Sequence, residues 1–191
     1  FRGIRLYDAT NPAKIVLLSE YNTGPTGFGT HGDQSFYDGG KYAYIGGSAD
    51  DTFTGMLSCI WPLSSYLMVL DVSDPANVKP VSQWWVPGQR NDEIEALKKW
   101  PCVAGRANDL PNRKMTLEES IKAFRDLVVP KFPAPDRLPF TCLHGPVYVP
   151  KRVEDGGTLA YGSWSNLGLL LHDLSDITKP KLLGTFDPSP T

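Results

Sequence analysis

The chain has 191 residues, a formal net charge of −2, 41% hydrophobic residues, 18 glycines and 17 prolines. This composition is typical of a globular protein with many turns. The small net charge argues against a nucleic-acid or anionic-membrane partner, and no apolar stretch reaches the ~18 residues that a membrane span needs.

A strand–turn–strand unit occurs three times, at residues 3–21, 66–84 and 168–186, and the copies align over nineteen residues without a gap. Each copy begins with an apolar run, which predicts a buried strand. Turn-forming Asp, Ser and Pro residues follow, and a second strand ends on an aromatic residue. Because Asp8, Asp71 and Asp173 recur at the same place, we expect them to serve the turn. Such self-similarity is typical of repeat architectures.

A second repeated element stands before two of these copies. His31-Gly32 and His144-Gly145 each precede a Gly-Gly turn and a short strand. Together the two elements predict units of four strands. The predicted strands are 33–37, 41–46, 66–71 and 78–86 in the first unit and 146–150, 158–164, 168–173 and 180–186 in the second.

Tandem units of four antiparallel strands predict an all-β fold, namely a partial β-propeller of about two and a half blades. Residues 1–86 would supply a half blade and one full blade, and residues 144–191 a further blade. A closed propeller needs at least about four blades. We therefore expect this chain to be a segment of a larger propeller, with the remaining blades on the same or another chain.

The first full unit contains Ala-Tyr-Ile-Gly at 43–46, followed by Tyr-Leu-Met-Val-Leu-Asp-Val-Ser-Asp-Pro at 66–75. This pattern resembles the LVIVD-repeat family, and the resemblance covers roughly residues 1–86 and 144–188. It implies a propeller of the kind found in bacterial and archaeal proteins that are often at the cell surface. The expected location is therefore extracellular or periplasmic, as for a secreted protein.

Residues 87–143 interrupt the expected short connection between the two full units. They are charged and predict helices at 92–100, which Pro101 ends, and at 117–129, which a Thr116–Glu119 capping box opens. Loops of this length are usually functional when they are ordered. This helical insertion is expected to be either a lid over a functional face or a surface decoration.

The irregular segments are expected to meet at one end of the propeller channel. Successive connections of an antiparallel sheet alternate between its two ends, so the long segment 47–65 and the insertion 87–143 share an end. His31 and His144 would open onto the same end. Two imidazoles from adjacent blades could ligate Cu, Fe or Zn, or act as catalytic acid–base groups. The alternative is that His-Gly is a recurring structural turn.

Further ligands for such a site would have to come from Asp33, Asp50 or Asp51, or from blades outside this sequence. Trp61 and Trp164 are candidates for the lining of a pocket that binds an aromatic or apolar ligand. The alternative for both rings is that they cover the hydrophobic core.

The cysteines and the third histidine have structural explanations. Cys102 and Cys142 bracket the helical part of the insertion, and a disulfide between them would suit an exported protein. With a third cysteine at position 59, free buried thiols are the alternative. His172 takes the strand position of Tyr7 and Leu70, where we expect a packed or capped imidazole.

Two classes of function fit these observations. The first is an exported enzyme or small-molecule binder whose site lies at the channel mouth, with His31 and His144 as its key side chains. The second is a surface propeller that binds proteins or polysaccharide without catalysis.

Overall fold

The structure is a computed structural model that describes residues 3–22, 30–48, 65–87, 90, 92–93, 143–164 and 167–186, without the side chains of residues 30–34, 48 and 65. Within these ranges the protein is all-β, as predicted, with one short 3₁₀ helix at Val153–Asp155. The strands are β1 (Gly3–Asp8), β2 (Val16–Asn22), β3 (Thr30–Tyr37), β4 (Tyr42–Ser48), β5 (Ser65–Asp71), β6 (Lys79–Trp84), β7 (Leu159–Trp164), β8 (Gly168–Asp173) and β9 (Lys181–Phe186).

These strands form three antiparallel sheets that follow one another along the chain. The two-stranded sheet has the order β1-β2, the four-stranded sheet β3-β4-β5-β6, and the three-stranded sheet β7-β8-β9. Every neighbour in a sheet is also the next strand in sequence, so each sheet is a simple meander. The strands predicted from the repeat are therefore present, with one exception.

The predicted strand 146–150 is wrong as a regular strand. The segment 143–150 touches β7 only through isolated bridges, Leu143↔Trp164 and Tyr148↔Tyr161. Pro146 and Pro150 lack the N–H group that a continuous ladder needs, which explains the interruption. The segment nevertheless takes the place of a first strand, because Leu143 and Val147 are fully buried.

The turn between the two strands of each repeat has the same hydrogen bonds in all three copies. The carboxylate of Asp71 accepts the Ser73 N–H at 3.0 Å and the Ser73 hydroxyl at 2.6 Å. The pairs Asp8–Thr10 and Asp173–Ser175 repeat both bonds. Because these bonds favour the charged carboxylate, they hold the pKa of Asp8 and of Asp173 below the usual value. The prediction that these aspartates serve the turn is confirmed.

Apolar side chains on both faces of the four-stranded sheet hold the sheets together. Successive residues of a strand point to opposite faces. In β5, Met68 and Leu70 therefore join a cluster that packs against Ile4 and Leu6 of the two-stranded sheet. Leu67 and Val69 join the cluster shared with the three-stranded sheet, whose buried members include Val147, Ala160, Trp164, Leu170 and Leu174.

A repeated hydrogen bond links each sheet to the next one. The Ser82 hydroxyl of β6 donates to the Ile177 carbonyl in the turn of the three-stranded sheet at 2.7 Å. The Ser19 hydroxyl of β2 donates in the same way to the Pro75 carbonyl of the four-stranded sheet. Ser19 and Ser82 are equivalent in the repeat alignment, and so are Pro75 and Ile177. The interface between the first and second sheets and the interface between the second and third sheets thus contain equivalent hydrogen bonds.

The predicted helices 92–100 and 117–129, and nearly all of the insertion 87–143, lie outside the described residues. Within the described ranges, no helix has the length and hydropathy that a membrane span would need.

Candidate functional site

The two His-Gly pairs hold matching backbone positions in neighbouring sheets. His31 lies in β3 directly after Thr30, which pairs with Gly47 of β4. His144 directly follows Leu143, which bridges to Trp164 of β7. The pairs Phe36↔Tyr44 and Tyr148↔Tyr161 repeat the match farther along the same segments. In each sheet the histidine therefore lies at the same end of the segment that takes the place of the first strand.

The His144 side chain is exposed while its backbone is anchored. Its N–H donates to the Ser163 carbonyl at 2.7 Å, and the neighbouring Leu143 and Val147 side chains are fully buried. The segment thus has a fixed inner side, and the His144 side chain lies at the surface. An exposed imidazole on an anchored backbone can bind a metal or exchange protons with a ligand.

Most of the other predicted site residues lie outside the described residues. This applies to Asp50, Asp51, Trp61, Cys102 and Cys142. The structure places Asp33 in β3, two residues after His31, but describes neither side chain. Among the described side chains, no three His, Cys, Asp or Glu residues come together as a metal-binding group.

Trp164 is placed in the hydrophobic core, with 1% of its surface exposed. Its ring meets the Trp84 ring edge-on at 5.4 Å between centroids. A Cβ atom at Gly162 would lie 2.3 Å from the Trp164 ring, so glycine makes room for the ring to fold back over its own strand. A ligand could reach this ring only by opening the core, and we leave Trp164 out of the proposed site.

His172 lies between the four-stranded and three-stranded sheets and is fully buried, as the prediction of a packed imidazole requires. Its ring centroid is 4.3 Å from that of Trp84 and 5.2 Å from that of Trp164. Neither ring nitrogen has a hydrogen-bond partner in the described part of the chain. Burial lowers the pKa of His172 to about 4, because the charged imidazolium would lose its hydration.

Sequence reasoning missed this cluster of Trp84, Trp164 and His172. The available signal was the aromatic residue that ends each repeat, which is Trp84 in the second copy. Its partners come from another sheet more than 70 residues away in the sequence, and no local pattern connects them.

A polar contact joins the same two sheets at their hairpin turns. The Lys41 N–H in the turn between β3 and β4 donates to the Glu154 carboxylate at 2.5 Å. A Cβ atom at Gly40 would lie 2.0 Å from that carboxylate, so the close approach depends on glycine. Asp38 accepts the Gly40 N–H at 2.8 Å, and burial raises the pKa of this carboxyl group.

A cleft of about 860 Å³ lies beside β1. One wall consists of β1 and the following turn, residues 3–10, and the facing wall includes Ser35, Tyr37, Ala43 and Ile45 of β3 and β4. The sequence did not predict this cleft, since its shape depends on how the two-stranded sheet sits on its neighbour.

No protein-family model matches this sequence, and a search of curated proteins finds no significant similarity. The resemblance to LVIVD repeats therefore stays a prediction.

Proposed function

We propose that the protein is a propeller-type repeat protein that binds a small ligand or a transition metal through His31 and His144. One observation carries the proposal, namely that the two histidines hold matching positions in adjacent sheets, and the His144 imidazole is exposed. Stacked blades bring equivalent positions close to each other around a channel. A histidine repeated from blade to blade would therefore supply more than one ligand to a single site.

The chemistry open to such a site follows from imidazole itself. Neutral imidazole is a common nitrogen ligand of Cu, Fe and Zn, with a Zn–N distance of ~2.0–2.1 Å. Without a metal, the same two groups could exchange protons with a bound substrate near neutral pH. Asp33, Asp50 and Asp51 are the candidate carboxylates that could complete the site.

The remaining parts of the proposal concern the setting of this site. In it, the chain belongs to a larger, exported propeller of the LVIVD-repeat type, and the insertion 87–143 is a lid that a Cys102–Cys142 disulfide would stabilise. The equivalent hydrogen bonds of Ser19 and Ser82 support the repeat, because they recur at both interfaces between the three sheets.

Metal titration with matched variants tests the proposal. The purified chain is titrated with Zn²⁺, Cu²⁺ and Fe²⁺ in a calorimeter, alongside His31→Ala, His144→Ala and His172→Leu. We expect each of the first two variants to weaken binding at least about tenfold without changing the melting temperature, because a histidine that serves a binding site contributes little to the core. His172→Leu should bind as the parent does.

The opposite pattern would contradict the proposal. If His144→Ala lowers the melting temperature and leaves metal and ligand binding unchanged, His-Gly is a structural turn. The second candidate function, an interaction module for protein or polysaccharide, would then be preferred. It is favoured by the exposed apolar side chains of Leu169, Leu183 and Phe186 on the outer face of the three-stranded sheet.

A further inference from the structure

We propose that the interface between the four-stranded and three-stranded sheets is an acid-sensitive device that opens locally when His172 is protonated. We call it the second interface, and the one between the two-stranded and four-stranded sheets the first interface. In mild acid the second interface opens, while the sheets themselves and the first interface stay folded. This inference is independent of the proposed metal or ligand site.

The second interface contains an unusual share of buried polar atoms. In the described part of the chain, five buried side-chain nitrogen and oxygen atoms have no hydrogen-bond partner, and they belong to Asp38, Tyr44, Trp164 and His172. Tyr44 and Trp164 are members of the apolar cluster that the two sheets share. The His172 ring contacts the Trp164 ring and the Trp84 ring of the four-stranded sheet. Three of the four residues therefore lie in the second interface.

Asp38 faces the same interface at its hairpin-turn end. Because Phe36 pairs with Tyr44, Asp38 stands beside Tyr42 and its side chain is on the same face of the sheet as Tyr44. Burial and the charges of Asp38 and Glu154 raise the pKa of the Tyr44 phenol. Glu154 belongs to the short helix before β7, so these groups meet where the two sheets approach each other.

The first interface provides a matched comparison. Leu70 takes the place of His172 there and is fully buried. None of the five unsatisfied atoms of the described residues lies in that interface. Both interfaces contain the equivalent serine hydrogen bond, from Ser19 or from Ser82. Since polar groups that lack partners gain hydrogen bonds to water when they are exposed, the second interface should open more readily than the first.

The surroundings of His172 make the opening depend on pH. Its neighbours are Ala160 of β7 and Leu182 of β9, and the Trp84 and Trp164 rings cover it. None of these side chains carries a charge, and burial is the cause that lowers the pKa of His172. A protonated imidazole would thus be uncompensated in the closed interface and hydrated in the open one. Acid therefore favours opening.

The other ionisable groups of the second interface lie at the hairpin-turn end. Burial raises the pKa of Asp38, so falling pH favours its buried neutral form and opposes opening. Arg152 forms an ion pair with Asp155 at 2.7 Å and stays charged. Tyr44 stays neutral, because its pKa is raised. His172 is thus the group whose protonation favours opening.

Thiol labelling at two equivalent positions tests the proposal. Ala160 pairs with His172 and Ala43 pairs with Leu70, and both alanines are buried in their respective interfaces. Ala160→Cys and Ala43→Cys each place a reporter thiol there, and mass spectrometry follows its reaction with a maleimide. Rates are divided by those of matching unfolded peptides, which removes the effect of pH on the thiol itself.

From pH 7.5 to pH 5, we expect the corrected rate at position 160 to rise at least about tenfold, because protonation of His172 favours the open state. The rate at position 43 should stay unchanged. On the Ala160→Cys background, His172→Leu copies the residue of the first interface and should abolish the rise. His172→Gln, which is polar but does not titrate, should also abolish it. Asp38→Asn is the control and should keep the rise.

Three results would overturn the proposal. One is a corrected rate at position 160 that does not change with pH. Another is an equal rise at positions 43 and 160, which would mean that acid unfolds the whole chain instead of opening one interface. The third is a rise that persists in both His172→Leu and His172→Gln or disappears in Asp38→Asn, since His172 would then not be the responsible group.

Discussion

His172 occupies a position where the other two repeats carry Tyr7 and Leu70. Leu70, like His172, is fully buried, but its side chain has no polar atoms. The two ring nitrogens of His172 lie among Trp84 and Trp164 without a hydrogen bond in the described part of the chain. Leaving a buried polar group unsatisfied costs about 1–3 kcal/mol. The buried imidazole of His172 therefore lowers the stability of the fold, and it must stay neutral while it is buried.

We expect His172 to make the fold sensitive to mild acid. Its folded pKa of about 4 lies below the ordinary value of 6.5. As the pH falls below 6.5, the unfolded chain gains a proton that the folded chain does not. Stability is thus present above pH 6.5 and is lost towards pH 4, by up to about 3 kcal/mol. His172→Leu should remove this loss and raise the free energy of unfolding at pH 7 by about 1 kcal/mol.

Urea unfolding of both proteins between pH 4 and pH 7.5 measures the effect. His144→Leu is the control, because its side chain is exposed and the acid-induced loss should remain. The turn aspartates Asp8 and Asp173 have lowered pKa values and lose their contribution only below about pH 3.8, under this window. Asp38, whose pKa is raised, is present in both proteins and should contribute equally to their pH profiles. An unchanged pH profile in His172→Leu would refute the prediction.

At the scale of elements, the repeated turn is the feature that ties sequence to structure most closely. Because one carboxylate oxygen of Asp71 accepts two hydrogen bonds from Ser73, the turn is closed before β6 begins. Lys41 adds an ion pair to the other oxygen at 3.3 Å, which links the turn to the start of β4. The turn sets the register of β5 on β6.

The second prediction concerns the two roles of Asp71, which are to close the turn through Ser73 and to form an ion pair with Lys41. Asp71→Asn keeps an oxygen that accepts both Ser73 bonds, and it loses the charge that strengthens them together with the partly exposed ion pair. We expect it to lower the free energy of unfolding by about 0.5 kcal/mol. Asp71→Ala loses the turn bonds as well and should cost about 1 kcal/mol or more. Equal losses in the two variants, measured by urea unfolding, would show that charge rather than turn closure matters.

The turns and most of the strands could be predicted from the sequence alone. Local chemistry was sufficient for the turns at Asp8, Asp71 and Asp173 and for strands with long apolar runs, because the determining residues are neighbours in the chain. The prediction of a regular strand at 146–150 was wrong, because two prolines interrupt the hydrogen-bond ladder that the repeat alignment suggested. Contacts between sheets, such as Trp84 with His172, and the cleft beside β1 depend on packing at long range. The histidine site stays a prediction.

At the scale of the whole molecule, the sheets stack by repeating one interface. The aromatic residue at the end of the first two repeats packs on the following sheet, since Tyr21 contacts the cluster around Met68 and Trp84 contacts the cluster around Trp164. In the third copy Phe186 holds this position and is 65% exposed. Gly184 also stands where Ser19 and Ser82 donate their hydrogen bonds. The outer face of the three-stranded sheet thus keeps the apolar residue of the interface but lacks the hydroxyl donor.

The last prediction follows from this face. Leu169, Leu183 and Phe186 expose 41%, 55% and 65% of their surface on one sheet, and apolar patches of this kind commonly mediate association. Because Gly184 supplies no directional bond, the association should be weak and indiscriminate, growing with protein concentration. Sedimentation velocity should show self-association of the chain that Phe186→Glu weakens at least about tenfold. Ile15→Glu, which changes a residue that is 61% exposed in the first turn, is the control and should associate like the parent. A chain that stays monomeric at all concentrations, or an equal effect of both substitutions, would contradict association through this face.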